Sequence, residues 1–400
     1  AKYIFIGEYI MKAQCTNLDF LKLIFLVLFT MVLFTSYQVR SEEALFQETL
    51  VTLPLEASGS ILRNRSVIVG ASQFGSINSS ILNRNGITAN GVTQSNTQEK
   101  KIAHNLTLNL FDDVVVDAKL TNTYKNQSGS TTWVGKIASI VDGTAAFVIN
   151  NEQVYGVVEI PGQGKFSIRP ATHNSHVIEE IDQRRILTGE TDVVLRSKAS
   201  DVTRQTSNRQ VTAGVQESTL ETSSKDEGEI IDVYVVYDQN VAGGSVSATT
   251  AQSLAELFIA YTNQAYANSG IDQRVWLVGA VDGFDHTDTN ENSLDGDLEA
   301  ATAGSIVGLH AKRDENHADL VVFFTPHSNV NTCSGLAWLQ TSNDDLTFEA
   351  YAYSAMEACT YGSSIFAHEL GHNMGSRHDW YMDSSTTPNS YAHGYIDIVN

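Results

Sequence analysis

Three histidines and one glutamate lie close together in residues 366–379. His368 and His372 are four residues apart, so on a helix both imidazoles project from one face and can bind one Zn²⁺ ion. Glu369 stands beside them, where its carboxylate can accept a proton from water at such a site. The pattern predicts a zinc-dependent hydrolase with Glu369 as the general base.

The residues after His372 can supply a third ligand. Gly375 has no Cβ and can adopt the left-handed conformation that ends a helix, after which the reversed chain returns His378 to the same metal. Three nitrogen ligands leave a fourth position open, as in catalytic zinc sites. With Asp379, six positions match, and chance would produce this roughly once in 10⁵ chains. Histidines that merely occupy a helix surface or core are therefore disfavoured.

This motif resembles the metzincin zinc-peptidase signature, and Asp379 directly after the third histidine resembles its adamalysin or reprolysin-like branch. The resemblance implies that His368, His372 and His378 bind zinc and that Glu369 is the general base. It implies that Asp379 supports the region below the site without binding the metal. The expected substrates are proteins or peptides.

The segment 334–339 resembles the edge strand along which metzincins align an extended peptide. Gly335 to Trp338 would then offer backbone hydrogen bonds to a substrate by strand addition. An ordinary internal strand is the alternative.

Composition indicates a soluble protein with room for two domains. The chain has 400 residues, 42% of them hydrophobic, and a formal net charge of −21. Nucleic acids and anionic membranes would repel this charge, so we expect no nucleic-acid partner and no stable membrane partner.

The N-terminal residues resemble a secretory leader. Residues 1–10 are expected to be an upstream extension, because Met11 begins a polar stretch followed by an apolar run over 23–34. Residues 11–41 are thus predicted to be a signal peptide, which implies a secreted protein. An uncleaved N-terminal anchor is the alternative, although the run is short for a membrane span.

Secretion would place the cysteines in an oxidising compartment, where a pair of them can form a disulfide. Cys15 lies in the predicted leader, which leaves Cys333 and Cys359 as the only pair in the mature chain. A disulfide between them is expected, with two free thiols as the alternative.

Residues 42–196 are predicted to form an antiparallel β domain. Short β-branched runs, including those at 48–55, 106–111, 113–119, 132–137, 145–149 and 153–159, alternate with turn residues. Segments at 109–113, 143–147, 164–169 and 176–180 resemble the pro-regions of secreted metzincins, which implies a propeptide and a zymogen. The domain contains no cysteine, so latency by a zinc-bound thiolate is excluded within it. An accessory domain retained in the mature protein is the alternative.

Residues 197–228 are predicted to be a linker, because they are polar and lack an apolar period. Such a segment is open to proteolysis, and we expect processing there. The dibasic pair Arg184-Arg185 is a second candidate site.

Residues 229–400 alternate strand and helix patterns, which predicts an α+β catalytic domain with a mixed sheet covered by helices. We expect strands at 229–237, 271–281 and 318–325, helices at 247–268 and 298–310, and a zinc helix capped by Ser363 or Ser364. Metzincins also carry a methionine-containing turn well after the third histidine. Met382 lies too near His378 for that part, so the domain is expected to be incomplete at its C-terminus.

An acidic stretch at 282–299 has partial EF-hand spacing in Asp288, Asn290, Asn292 and Glu299, but Ser293 replaces the required glycine. A solvated acidic loop is preferred, and calcium is only weakly indicated. Four further histidines are expected at the surface: His286, His310, His317 and His327.

Two functions follow from these patterns. The first is a secreted zinc endopeptidase made as a zymogen. The second is a secreted binding or adhesion protein that keeps the scaffold without turnover. Glu369 favours the first, because a non-catalytic scaffold has no need of a general base.

Overall fold

A computed structural model describes residues 45, 63–69, 105–151, 153–171, 175–181, 193–194, 230–239, 247–286, 294–325, 333–343, 345–359 and 362–394. The predicted upstream extension, signal peptide, strand at 48–55, dibasic site and linker lie outside the described residues. Among the described residues, no helix is both long enough and apolar enough to span a membrane.

The N-terminal sheet has eight strands, and every neighbouring pair in it is antiparallel. Its spatial order is β1-β8-β7-β6-β5-β4-β3-β2. The strands are β1 (Arg63–Val69), β2 (Asn105–Phe111), β3 (Val114–Lys125), β4 (Thr131–Ile137), β5 (Thr144–Asn150), β6 (Gln153–Ile160), β7 (Gly164–Pro170) and β8 (His176–Ile181). This meander confirms the predicted antiparallel β architecture.

Both faces of this sheet are apolar, as β5 illustrates. Successive side chains of a strand point to opposite faces. Phe147 and Ile149 enter the core of the N-terminal domain. Ala146 and Val148 enter a second core that also contains residues of the C-terminal domain. The sheet therefore packs on the C-terminal domain through one face of its central strands β5 and β6.

The C-terminal sheet has seven strands in a mixed arrangement. Its order is β11-β10-β13-β15-β14-β9, with β12 also paired to β10, and β14 is antiparallel to β15 while the other pairs are parallel. The strands are β9 (Val193–Val194), β10 (Ile230–Asp238), β11 (Arg274–Leu277), β12 (Asp282–Phe284), β13 (Leu320–Thr325), β14 (Gly335–Trp338) and β15 (Tyr353–Glu357). The predicted α+β class is confirmed.

Helices cover both faces of this sheet. They are α1 (Ala248–Asn268), α2 (Leu294–Ala303), α3 (Leu309–Glu315) and α4 (Ser363–Asn373). On one face, Phe258 of α1 packs against Phe324 of β13 and Phe366 of α4, with ring centroids 5.8 and 5.7 Å apart. Leu298 of α2 and Leu309 of α3 lie in the core on the other face.

The single helix predicted over 298–310 is wrong, because the structure has α2 and α3 instead. Gly304 and Gly308 adopt φ angles of 79° and 87°, a left-handed conformation that ends α2 and precedes α3. The strand predicted over 271–281 is shorter in the structure: β11 covers Arg274–Leu277, a left-handed turn at Gly279 follows, and β12 begins only at Asp282.

Two of the four histidines expected at the surface are not exposed. His286 is about nine-tenths buried, and its Nε2 lies 3.0 Å from Oδ1 of Asp297. His310 is half-buried, with its Nε2 2.8 Å from the carbonyl oxygen of Ala301. The acidic loop expected over 282–299 is wrong in its C-terminal part, because Asp297 is buried in α2. His317 is exposed; His327, Asp288, Asn290, Asn292 and Ser293 lie outside the described residues.

The predicted disulfide is present between Cys333 and Cys359, whose Cα atoms are 6.0 Å apart. It joins the chain just before β14 to the chain just after β15. The antiparallel pair β14–β15 is therefore crosslinked at one end, close to the start of α4.

Polar side chains add to the contact between the two domains. Glu256 of α1 accepts hydrogen bonds from Ser128 and Ser130, at 2.6 and 2.5 Å. Tyr261 of α1 donates a hydrogen bond of 2.7 Å to Glu159 of β6. These groups bind the N-terminal sheet to a specific face of α1.

Lys165 of β7 is a charged group buried in this contact. Its Nζ donates to Oγ of Ser364 at 3.0 Å and lies 4.6 Å from the ring centroid of Tyr261. Burial lowers the pKa of Lys165 from 10.5 to about 8, although the charge of Glu159 opposes the shift.

This shift predicts that stability depends on the pH. From about pH 8 to about pH 10 the folded chain loses the Lys165 proton while the unfolded chain keeps it, so the unfolded state binds more protons and stability rises with pH. The unfolding midpoint of the wild-type chain should therefore rise relative to that of Lys165→Met across this window. Lys136→Met, at an exposed lysine of β4, is the control. Parallel midpoint curves for wild type and Lys165→Met would contradict the assignment.

Candidate metal centre

Helix α4 carries the predicted motif and has a defined start and end. Its N-cap is Gly362, so the predicted cap by Ser363 or Ser364 is wrong; Oγ of Ser364 instead accepts the bond from Lys165. At its end the Gly375 N–H donates to the His372 carbonyl and the next N–H donates to the Gly371 carbonyl, at 3.0 and 2.8 Å. Gly375 has φ 89°, as expected for this helix end.

The three predicted histidines converge in space. One ring nitrogen of each of His368, His372 and His378 lies within 4.8 Å of the others, and the Nε2 atoms of His368 and His372 are 2.9 Å apart. His372 is buried, His378 is half-buried and His368 is exposed. The group therefore faces the protein interior at His372 and solvent at His368.

The donors in this group fit a zinc ion. Tetrahedral zinc with bonds of about 2.0–2.1 Å places neighbouring nitrogens roughly 3.3 Å apart, within the range found here. Nδ1 of His372 lies 2.8 Å from the carbonyl oxygen of Ser376, so it carries the proton and leaves Nε2 with its lone pair toward the metal position. Asp379 is not in this group: its Oδ1 accepts a hydrogen bond of 2.8 Å from the N–H of Tyr381.

Glu369 is buried on the same helix, with a relative exposure of 1%. It lies directly against β14: a Cβ atom on Gly335 would overlap Oε1, Cγ and Cδ of Glu369. The close approach of strand and carboxylate thus requires glycine at this position. In the sequence, this role of Gly335 is signalled only by a glycine inside a predicted strand, which was not recognised as a close approach to Glu369.

Hydrogen bonds that end on backbone carbonyls fix α4 against the sheet. Nδ2 of Asn373 donates to the carbonyls of Trp338 and Tyr353, at 2.9 and 3.0 Å. The N–H of Gln340 donates to the carbonyl of His372 at 3.1 Å. Asn373 lies inside the motif, but nothing in its spacing marked it as the side chain that joins the zinc helix to β14 and β15.

The segment after the motif supports the third histidine. Nδ1 of His393 lies 2.7 Å from the carbonyl oxygen of His378, and its Nε2 lies 2.8 Å from that of Ser385. Its ring stacks on Trp380 with centroids 3.6 Å apart. No motif in the sequence assigns His393 a role, whereas in the structure its ring supports the backbone at His378.

Arg377 is buried beside His378 and pairs with Asp383. Burial raises the pKa of Asp383, but the N–H of Ser385 and the guanidinium of Arg377 lower it by more, so the net shift is downward. The carboxylate therefore stays ionised and holds the loop under the third histidine.

Comparisons with known proteins agree with this geometry. Residues 227–396 match the family model described as Metallo-peptidase family M12. A peptidyl-Asp metalloendopeptidase of Stenotrophomonas maltophilia (strain K279a) is 33% identical over 148 residues, which are 36% of this chain and 33% of that protein. A protein of the same name from Xanthomonas campestris pv. campestris is 27% identical over 255 residues, 63% of this chain and 56% of that protein.

The chain thus spans about a third of the first of these curated relatives and just over half of the second. A crystal structure of metalloproteinase-II from Bacteroides fragilis superposes with a TM-score of 0.42 at 9% identity, over 76% of this chain and 85% of that chain. The motif and the converging histidines lie within the matched residues, so residues 227–396 resemble a zinc metallopeptidase domain of family M12.

Proposed function

We propose that the protein is a secreted zinc endopeptidase that is made as a zymogen. The observation that carries the proposal is the convergence of three histidines beside the buried Glu369, on one helix end of an M12 domain. His368, His372 and His378 would hold the ion. Zinc, when bound, supplies Lewis-acid chemistry that polarises a carbonyl and acidifies water.

The remaining chemistry falls to residues of the chain. Glu369 accepts a proton from the attacking water and delivers it to the leaving amine as the peptide bond breaks. Strand β14 passes the Glu369 carboxylate at Gly335 and offers backbone groups to an extended peptide. The strand thereby aligns the scissile bond with the general base.

The substrate class can be narrowed from the relatives. Two of them are named peptidyl-Asp metalloendopeptidases, which makes peptides that contain aspartate the first substrates to test. We propose such peptides as substrates of this chain.

Secretion and the zymogen form rest on other features. The apolar run at 23–34 follows the pattern of a signal peptide, and the Cys333–Cys359 disulfide suits an oxidising compartment. The N-terminal sheet packs on α1 of the peptidase domain, as a propeptide would. We propose that processing occurs in residues 197–228.

A binding or adhesion protein on the same scaffold is the second candidate. A buried carboxylate is costly to keep in a fold unless it has a use, and that cost favours the enzyme. Turnover, and not zinc content, separates the two.

Zinc content is the first expected outcome. The precursor that contains this chain should bind one zinc ion, and His372→Ala should weaken zinc binding at least about 100-fold, because the fold then keeps only two nitrogen donors. Metal titration followed by mass spectrometry of the native protein measures this. His317→Ala, at an exposed histidine remote in sequence from the motif, should bind zinc as wild type does. Equal zinc content in both variants would rule out this site.

Turnover is the second expected outcome. Glu369→Gln should retain zinc but lower kcat by about 10²–10⁴-fold, since the amide cannot accept the proton. The assay is hydrolysis of a denatured protein and of peptides with and without aspartate, with a chelator as control. If the processed, zinc-loaded wild-type chain cleaves none of a broad peptide set, the binding-protein alternative replaces the enzyme.

The contact between Gly335 and Glu369 gives a third expected outcome. Gly335→Ala should displace the Glu369 carboxylate and lower kcat by about 10²-fold without loss of zinc, because a small misplacement of a catalytic group has an effect of that size. Gly371→Ala is the matched control: its added Cβ would meet Ser376 at an ordinary 3.5 Å. Wild-type turnover in Gly335→Ala would show that the strand does not position the base.

A further inference from the structure

The Trp338 end of β14 is attached to helix α4 by hydrogen bonds. Nδ2 of Asn373 donates to the Trp338 carbonyl at 2.9 Å, and the N–H of Gln340 donates to the His372 carbonyl at 3.1 Å. Both bonds reach the last turn of α4, which lies beyond Glu369 along the chain. This end of the strand is therefore tied to the C-terminal end of the helix.

The opposite end of β14 is attached through the disulfide. Cys333 lies two residues before Gly335 (335 − 333), the glycine that meets Glu369. Its partner Cys359 lies against Gly362, the N-cap of α4. The Gly362 N–H donates to the Cys359 carbonyl at 3.0 Å, and a Cβ atom added at Gly362 would lie 3.0 Å from Sγ of Cys359. The disulfide therefore ties the Gly335 end of the strand to the N-terminal end of the helix.

Strand pairing by itself holds the Gly335 end less firmly. The β14–β15 ladder has three residue pairs, and Gly335 belongs to a terminal one: Gly335 with Met356, Leu336 with Ala355 and Ala337 with Ser354. Just outside it, the N–H of Ser334 donates to Oε2 of Glu357 at 2.8 Å, and the N–H of Glu357 donates to the Ser334 carbonyl at 3.0 Å. Terminal pairs of a ladder open at low free energy, because opening breaks few buried contacts. The disulfide opposes that opening beside the general base.

We propose that Cys333 and Cys359 are positioning residues for the general base, and that reduction of their disulfide loosens the contact between Gly335 and Glu369 while the zinc site persists. The inference rests on the proposed peptidase function and deepens it, because it names a covalent bond on which alignment of the base depends. The three histidines stay in place, since α4 and the turn that follows it contain no cysteine. Turnover thereby becomes sensitive to thiol reductants as well as to chelators.

Reduction is a thiol–disulfide exchange that a dithiol can drive. Cys359 is partly exposed, whereas Cys333 is only 4% exposed, so the reductant attacks Sγ of Cys359 as a thiolate. The S–S bond breaks, a mixed disulfide forms at Cys359, and the Cys333 thiolate leaves and takes up a proton. The second thiol of the reductant then attacks the mixed disulfide. The dithiol is oxidised to a cyclic disulfide, and its two protons end on the two cysteine thiols.

The reduced domain is expected to stay folded. Cys333 is buried in the core shared by α1 and α4, and Cys359 packs against the same core. Free cysteine thiols pack as small apolar groups, so both side chains can keep these positions after reduction.

Hydrogen–deuterium exchange of the full, zinc-loaded chain tests the attachment directly, in a Glu369→Gln background that prevents self-processing. In Cys333→Ala/Cys359→Ser, alanine stands at the buried position, so no hydroxyl is buried there. Amides of residues 334–337 should exchange at least about tenfold faster in this variant and in dithiol-treated wild type. The amide of Gln340, at the other end of β14, should keep its protection. Equal loss of protection at both ends would show general loosening and would overturn the positioning role.

The dithiol treatment has an internal control. A dithiol can also bind zinc, but Cys333→Ala/Cys359→Ser has no disulfide to reduce. The treatment should therefore leave exchange and zinc content of this variant unchanged. Reduction of folded wild-type protein also gives the comparison without requiring the variant to fold.

Turnover of the processed, zinc-loaded chain is the second readout. Cys333→Ala/Cys359→Ser should lower kcat at least about tenfold and keep one zinc ion, because the base is misplaced while its metal remains. Adding Gly335→Ala to this variant should lower kcat little below the value for Gly335→Ala alone, since both changes act on one contact. Losses that multiply would contradict the proposal.

A control separates positioning from stability. Val275→Ala, at a fully buried residue of β11 near the opposite edge of the sheet, should lower the unfolding midpoint but leave kcat unchanged. If both the cysteine variant and the reduced wild type keep the kcat of the oxidised protein, the proposal is wrong. If the oxidised wild-type chain cleaves no peptide, the proposed function fails, and exchange at residues 334–337 still decides whether the disulfide holds the strand.

Discussion

The position of helix α4 against strand β14 is the constraint on which the site depends. The helix bears two of the three converging histidines and the buried glutamate, whereas the strand bears the backbone edge beside them. Asn373 holds the two together by donating to a carbonyl of β14 and a carbonyl of β15. A buried amide that loses such partners costs about 1–3 kcal/mol, so this joint resists sliding. The missing Cβ at Gly335 then sets how closely the strand can approach Glu369.

The N-terminal sheet supports the position of α4 indirectly, through α1. Its apolar face shares a core with α1, and α1 in turn packs through Phe258 against Phe366 of the zinc helix. The two domains therefore stabilise each other through buried apolar area, while Glu256 and Lys165 set the orientation of the contact. Separation of the domains would expose apolar surface on both, which makes the docked form the more stable one.

The placement of Glu369 also bears on the choice between an enzyme and a binding protein. Burial penalises the charged form of a carboxylate, and a scaffold kept only for binding would gain stability by replacing it. The glutamate is nevertheless held buried beside β14, against a glycine that makes room for it. A carboxylate that is kept buried in a defined position, despite the energetic cost of burial, is typical of catalytic groups.

The sequence by itself determined the local chemistry of this protein. Spacing along a helix brings His368 and His372 to one face, and a glycine at the helix end turns the chain toward His378, because both depend only on backbone geometry within a few residues. The α+β class and the Cys333–Cys359 bridge also followed from pattern and count. The division of the 298–310 region into two helices did not follow, because an apolar pattern continues across glycines whose φ angles only the folded chain reveals. The tertiary structure alone decided that β9 pairs with β14, that Gly335 meets Glu369 and that Asn373 joins helix to sheet, since each contact joins residues far apart in sequence whose meeting depends on the packing of the whole fold.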